Sequence, residues 1–274
     1  MDKIAVIGLG LIGGSLCAAL TEAGYSPDGF DNNEESVEYA LRLGYIQKKA
    51  TNLKDYDLVI LALPASVTLR YLTQGEFKDG ALVTDICGVK SCMEKAVYSK
   101  KRNYRYIGMH PMAGKETSGI QSATPNLFKK ANLIITLSEN TLALDLEKIK
   151  GMAKRIGFGK IVECTALEHD QKIALTSQLA HLVSNGYVKS EQVRGCDGFT
   201  GGSFQDMTRI AGVDESMWTE LYLYNKECIV EELNGLVTHL QEYRDAIEND
   251  SKEELSRLLR EGRKIRETIK RRNN

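Results

Sequence analysis

Residues 3–20 read KIAVIGLGLIGGSLCAAL, and the fold turns on how that stretch is divided. Taken whole, Ile4 to Leu20 is seventeen uncharged residues behind Asp2 and Lys3, the outline of a secretory signal. Four glycines (8, 10, 13 and 14) interrupt it, no small-residue cleavage pattern follows, and it is short for a bilayer span. Divided, it is a buried strand (3–7), a turn and a packed helix (11–23) that runs out at Thr21-Glu22-Ala23-Gly24. The glycines decide for the second reading.

So divided, Gly8-Leu9-Gly10-Leu11-Ile12-Gly13 has the spacing of a dinucleotide-binding loop, with a strand before it and a helix after. Gly8 makes the tight turn, Gly10 lets the backbone approach a pyrophosphate, and Gly13 lets helix and strand pack closely. Leu11 and Ile12 open a helix whose amides and dipole favour phosphate. Asp31 follows the second strand, where a carboxylate accepts from ribose hydroxyls and repels a 2′-phosphate. Asn32 and Asn33 come next, with no arginine to receive that phosphate. These residues predict NAD rather than NADP; a solvated turn aspartate is the alternative for Asp31.

Outward from the loop, short apolar runs at 28–30, 58–63, 81–84, 105–109, 133–137 and 160–162 alternate with helical stretches at 33–43, 65–73, 88–100 and 141–157. Near-continuous apolar strands such as LVILAL suit a parallel sheet covered on both faces. The rhythm predicts an α/β, Rossmann-like doubly wound domain over residues 1–165. Beyond it, apolar residues recur at helical spacing (Leu175, Leu179, Leu182; Leu233, Leu236, Leu240, Tyr243), and Ser251-Lys-Glu-Glu254 opens a last helix as a capping box. Residues 166–274 are therefore expected to form an all-helical domain, whose amphipathic helices either pack on a partner subunit or face solvent.

A net charge of −1 gives no reason to expect a nucleic acid or membrane partner. The basic stretch 257–272 is broken by glutamates and reads as a solvated helix face. Six cysteines without ligand spacing suit reduced thiols in the cytoplasm and predict no metal site.

Four further segments carry chemistry: TDICGVKS (84–91), HPMAGKETSG (110–119), SQLAHLVSNGY (177–187) and GGSFQDMTRIAGVDESMW (201–218). His110 stands at the C-terminal end of a strand, where ligands bind in open α/β sheets, and imidazole titrates near neutrality. A strand-ending histidine satisfied by its neighbours is the plain alternative. With the glycine loop, these segments resemble the prephenate dehydrogenase family of tyrosine biosynthesis, which includes arogenate dehydrogenases. The resemblance spans roughly residues 3–245, and HPMAGKE with FQDMTRIA are its specific pieces.

The resemblance implies oxidative decarboxylation of a cyclohexadienol: hydride to NAD, carbon dioxide from the opposite ring carbon, and an aromatic product. It implies that His110 is the base, worth roughly 10²–10⁴ in rate. Arg209 matches the arginine that holds a substrate carboxylate, His181 a histidine lining the pocket, and Glu116 an acid that gates or tunes the site. Gln205 stands where some relatives carry lysine, which would widen acceptance toward arogenate. Gly88 is a departure, since many members place a serine there between histidine and substrate. Lys115 is expected to be solvated, Trp218 to pack and Cys87 to be an inert thiol. The small-molecule substrate is thus prephenate or arogenate, and the resemblance implies a homodimer through the helical domain. The rivals are another two-domain reductase of a small acid or imine and a non-catalytic NAD sensor.

Overall fold

The computed structural model describes residues 2–273. Contacts divide the chain into two compact units, one running to Asn225 and one from Lys226 onward.

The first unit is built on a seven-stranded sheet: β1 (Ile4–Ile7), β2 (Pro27–Phe30), β3 (Leu58–Leu61), β4 (Leu82–Asp85), β5 (Arg105–Pro111), β6 (Leu133–Thr136) and β7 (Ile161–Cys164). Their spatial order is β2-β1-β3-β4-β5-β6-β7. Alternate strand residues face opposite sides, so each strand feeds two cores. Ile4, Val6, Leu58 and Ile60 pack with α1 (Leu11–Glu22), α2 (Glu34–Arg42) and α5 (Ala143–Ile156). Ala5, Ile7, Val59 and Leu61 pack on the other side with α3 (Ala65–Gln74) and α4 (Ser91–Tyr98). Burial on both faces is why these strands read as unbroken apolar runs.

The sheet is parallel from β2 through β5, as expected, but β5 and β6 run antiparallel. The 112–132 connection holds only a short 3₁₀ turn at Ile120–Ser122 and no crossover helix, so the chain returns alongside β5. The consequence is local and functional. The pairing of β5 with β4 stops at Gly108, opposite Asp85, whereas its pairing with β6 continues through His110 and Pro111. An antiparallel neighbour thus carries β5 two residues past the end of the parallel ladder. His110 is inside the strand, not after it.

Helices follow β7 to the end of the unit, with no further strand among the described residues: α6 (Ala166–Ile173), a π-turn (Ala174–Gln178), α7 (Leu179–Tyr187), α8 (Gly202–Thr208) and α9 (Glu215–Tyr224). Glu220 of α9 reaches α3, where its carboxylate accepts from Ser66 N (3.1 Å) and Ser66 Oγ (2.7 Å). That caps a helix whose own N-cap, Pro64, offers no side-chain acceptor.

The second unit is a helical hairpin of α10 (Lys226–Glu248) and α11 (Lys252–Asn273), tied by Tyr243 Oη donating to the Leu258 carbonyl at 3.3 Å. The capping-box position holds, with α11 beginning immediately after Ser251. Val230, Leu233, Val237 and Leu240 form an apolar stripe on α10 that is 38–57% exposed.

Candidate active site

At the carboxyl edge of the sheet, Gly8 N donates to the Phe30 carbonyl at 2.7 Å, closing the exit of β1 against β2. Gly8 has φ +97°, and a Cβ at Gly13 would lie 1.9 Å from the Gly8 oxygen. Both positions exclude a side chain, the first by conformation and the second by contact. A Cβ at Gly10 would meet nothing within 4 Å, so the loop is open on that side. Gly10 is the N-cap of α1 and no side chain caps the helix, leaving the first-turn amides of Leu11, Ile12 and Gly13 for an anion.

Asp31 does more than terminate β2. Its Oδ2 accepts from Leu9 N at 2.7 Å and its Oδ1 from Asn33 N at 2.8 Å, so the carboxylate fastens the second strand to the glycine loop. Each oxygen keeps a lone pair for a hydroxyl. These residues fit a dinucleotide: an open turn, an uncapped helix end and an acid beside both.

Across the same edge, His110 Nδ1 lies 2.9 Å from His169 Nε2, and His169 Nδ1 lies 2.7 Å from Asp170 Oδ1. Asp170 also accepts from Lys90 N on Oδ1 (2.8 Å) and from Ser91 N on Oδ2 (2.7 Å), so it caps α4 from another helix. Burial holds His110 well below the ordinary histidine range, with His169 and Lys90 adding to the effect. His169 is lowered too, chiefly by burial, against the pull of Asp170. Burial alone would raise Asp170, but hydrogen bonds from His169 and Ser91 outweigh it and keep the carboxyl below its usual value.

Beneath this row, the side chains of Lys90 and Asp85 are fully buried, with Nζ 2.5 Å from Asp85 Oδ1 and 2.7 Å from the Cys87 carbonyl. Tyr106 Oη donates to Asp85 Oδ2 at 2.5 Å, and Cys87 N donates to Oδ1 at 2.8 Å. Gly108 makes the room: a Cβ there would lie 2.9 Å from Lys90 Cδ and 2.4 Å from Thr136 Oγ1. The network fixes the 86–90 loop, so the helix expected over 88–100 starts only at Ser91. At the tip of that loop, a Cβ on Gly88 would sit 3.8 Å from His110 Nε2 and 3.6 Å from Leu221 Cδ2.

The other expected residues lie on the helices. His181 Nδ1 donates to the Ile210 carbonyl at 2.9 Å, and its ring meets Trp218 at 4.0 Å between centroids. Trp218 also touches Tyr222, one residue beyond the Leu221 that faces Gly88. Helix α9 therefore links the His181 end of the site to the His110 end. Arg209 Nη1 lies 3.6 Å from Glu116 Oε1, joining the end of α8 to the 112–132 loop in an exposed pair. Gln205 is exposed one turn before Arg209. Lys115 is exposed but not unengaged, since Nζ donates to the Ser122 carbonyl at 2.8 Å. Cys87 is buried against Thr68 and the Leu63 carbonyl, and burial pushes its thiol up, out of nucleophilic range.

Residues 18–163 match the family model for the prephenate dehydrogenase nucleotide-binding domain, and residues 165–261 match that for its dimerization domain. A prephenate dehydrogenase of Lactococcus lactis subsp. cremoris is 33% identical over 98% of this chain and 78% of that protein. The chain belongs to the prephenate dehydrogenase family. Among solved structures, the prephenate dehydrogenase of Aquifex aeolicus in complex with hydroxyphenyl propionate and NAD+ is 28% identical, with a TM-score of 0.85 over 98% of each chain. The Synechocystis arogenate dehydrogenase is 27% identical, with a TM-score of 0.82 over 97% of this chain and 99% of that one.

Within this prephenate dehydrogenase family member, the sequence reading missed the interior of the site: His169, Asp170, Lys90, Asp85 and Tyr106. Two of them could have been suspected. Asp85 and Lys90 flank the glycine of TDICGVKS, and an aspartate at a strand's end five residues from a lysine can close a loop by an ion pair. His169-Asp170 carries no such mark, because it looks like the polar face of an ordinary helix.

Proposed function

We propose that this chain oxidatively decarboxylates prephenate to 4-hydroxyphenylpyruvate with NAD as hydride acceptor, working as a homodimer in the cytoplasm. The observation that carries the reading is the placement of His110, which β6 extends past the parallel ladder to the edge where the glycine loop and Asp31 also open. Gly8, Gly10, Gly13, the amides of Leu11 and Ile12, and Asp31 would hold the dinucleotide, which when bound supplies the hydride acceptor at that edge.

His110 takes the proton of the ring hydroxyl on Nε2 as the carbon–hydrogen bond breaks. Its depressed basicity keeps it neutral and ready at working pH. Carbon dioxide leaves from the opposite ring carbon, and the electron pair of that bond completes the aromatic ring. Arg209 supplies a forked cation for a substrate carboxylate. Its present partner Glu116 is loose and both side chains are exposed, so exchanging Glu116 for substrate costs little. His181, held by Ile210 and Trp218, offers Nε2 to the other end of the substrate. Gln205 supports a second reading, arogenate, because a neutral amide tolerates an amino group where a lysine would repel it. The exposed stripe on α10 and the match to a dimerization domain support the homodimer. The scattered cysteines, without ligand spacing, accord with a reducing compartment.

The test is NADH absorbance from purified protein given NAD or NADP with prephenate or arogenate separately. Turnover with NAD and prephenate is expected. Turnover with arogenate alone would transfer the assignment to the second reading, and tight NAD binding without turnover on either would overturn it.

A further inference from the structure

We propose that His169 and Asp170 act as a positioning relay that fixes His110 in its Nδ1–H tautomer and so leaves Nε2 as the proton acceptor. The proposal rests on the reading of His110 as the base, yet its structural half stands without it. Asp170 faces three donors: Lys90 N and His169 Nδ1 on one oxygen, Ser91 N on the other. No acid hydrogen fits among them, so the carboxylate is ionised and the His169 nitrogen toward it carries hydrogen. Neutral His169 then has its lone pair on Nε2, 2.9 Å from His110 Nδ1. Two lone pairs cannot share that distance, so His110 Nδ1 bears the hydrogen. This is the reverse of the tautomer that imidazole side chains prefer in water, and it is imposed from a helix outside the sheet.

The consequence is directional. A histidine free to choose would carry hydrogen on Nε2 and present a donor to the hydroxyl it must deprotonate. Here the vacant lone pair faces the Gly88 tip, and among the described residues no group bonds it. When Nε2 takes the substrate proton, both His110 nitrogens carry hydrogen. Nδ1–H still donates to His169, and Asp170 stabilises the new cation through that ring. Lys90 opposes the cation, Asp85 neutralises Lys90, and Tyr106 holds Asp85. From α9 the apolar Leu221 approaches the Gly88 tip. The balance leaves His110 weakly basic but correctly aimed.

The test uses the full chain labelled with ¹⁵N-histidine, together with His169→Leu and His169→Gln. Long-range ¹H–¹⁵N correlation spectra assign the tautomer of each of the four histidines, with His110→Gln identifying the His110 signals. The expected wild-type state of His110 is Nδ1–H. His169→Leu should let it revert to Nε2–H and lower kcat about 100-fold with KM nearly unchanged. Gln can accept from His110 and donate to Asp170, so His169→Gln should restore the tautomer and most of kcat. A wild-type His110 in the Nε2–H form overturns the proposal. So does a His169→Leu enzyme with unchanged kcat. If neither cyclohexadienyl substrate turns over, the spectra still decide the relay while the functional reading alone fails.

Discussion

Replacing Lys90 by Met measures what the interior of the site contributes. The Lys90 ammonium and Asp85 carboxylate are both wholly out of water and 2.5 Å apart. Methionine fills most of the lysine stem, so little cavity remains and the loss is electrostatic. Asp85 would keep only Tyr106 Oη and Cys87 N as donors, and the Cys87 carbonyl would lose its Nζ donor. Breaking a buried pair by removing one partner costs about 3–5 kcal/mol, because the remaining charge stays desolvated. In a unit of this size each kcal/mol moves Tm by roughly 2–4 °C, so Lys90→Met should melt about 6–20 °C lower. Adding Asp85→Asn removes the stranded charge and should recover at least half of that loss. Thermal melts followed by circular dichroism, with urea titrations of the same variants, supply both numbers. A Lys90→Met protein within about 1 kcal/mol of wild type, or a double variant no more stable than the single one, would refute the electrostatic account.

Three further outcomes follow from the same geometry. Gly88→Ser should fold normally, because its Cβ would meet His110 and Leu221 at ordinary van der Waals distance; a hydroxyl donating to Nε2 disfavours the imidazolium, so the acid limb of kcat/KM should move to lower pH with activity retained. Asp31→Ala should raise KM for NAD at least 10-fold and shift the NADP/NAD ratio of kcat/KM toward NADP, since Leu9 N loses its acceptor and the 2′-phosphate its repulsion. Finally, His110 and His169 are both held below the unfolded histidine value, so the unfolded chain binds more protons as pH falls through about 6.5. Stability should be flat above that pH and fall below it by up to about 2.7 kcal/mol per pH unit, read as Tm against pH; a Tm unchanged from pH 7.5 to 5.5 would contradict the neutral-pair assignment.

The sheet and the cofactor loop were legible because their causes are local. An apolar run between turn residues makes a buried strand wherever it occurs, and a Gly8–Gly13 contact is written in six consecutive residues. The direction of β6 was not legible, since a strand's composition is the same whether its neighbour runs with it or against it. His110 could be singled out by its strand and its proline. The partner that orients it lies 59 residues away on α6, and nothing in TALEHDQ distinguishes a relay from a solvated helix face. Lys90 shows the same limit from the other side. Lysine is almost never buried without a partner, so its burial follows only once Gly108 and Asp85 are known to be beside it.

The π-turn at Ala174–Gln178 explains how one helical run serves both ends of the site. His169 and His181 are twelve positions apart, which in an unbroken α-helix leaves them about a third of a turn out of phase. A π-turn spreads its residues over a wider loop and so winds less per residue. Five such residues subtract rotation and bring the second histidine back toward the face of the first. The local causes are visible. Thr176 Oγ1 donates back to the Lys172 carbonyl at 2.7 Å, competing with the backbone ladder. Buried Gln178 is drawn to Asn225 and to the Leu221 carbonyl of α9. Asn225 in turn donates to the Asp170 carbonyl at 2.9 Å. The residues that under-wind the helix are therefore tied to the aspartate that orients His169 and to the helix that carries Trp218 against His181. Straightening the π-turn would rotate His181 away from Trp218 while leaving His169 in place, so the same few hydrogen bonds set the spacing between the His110–His169 pair and His181.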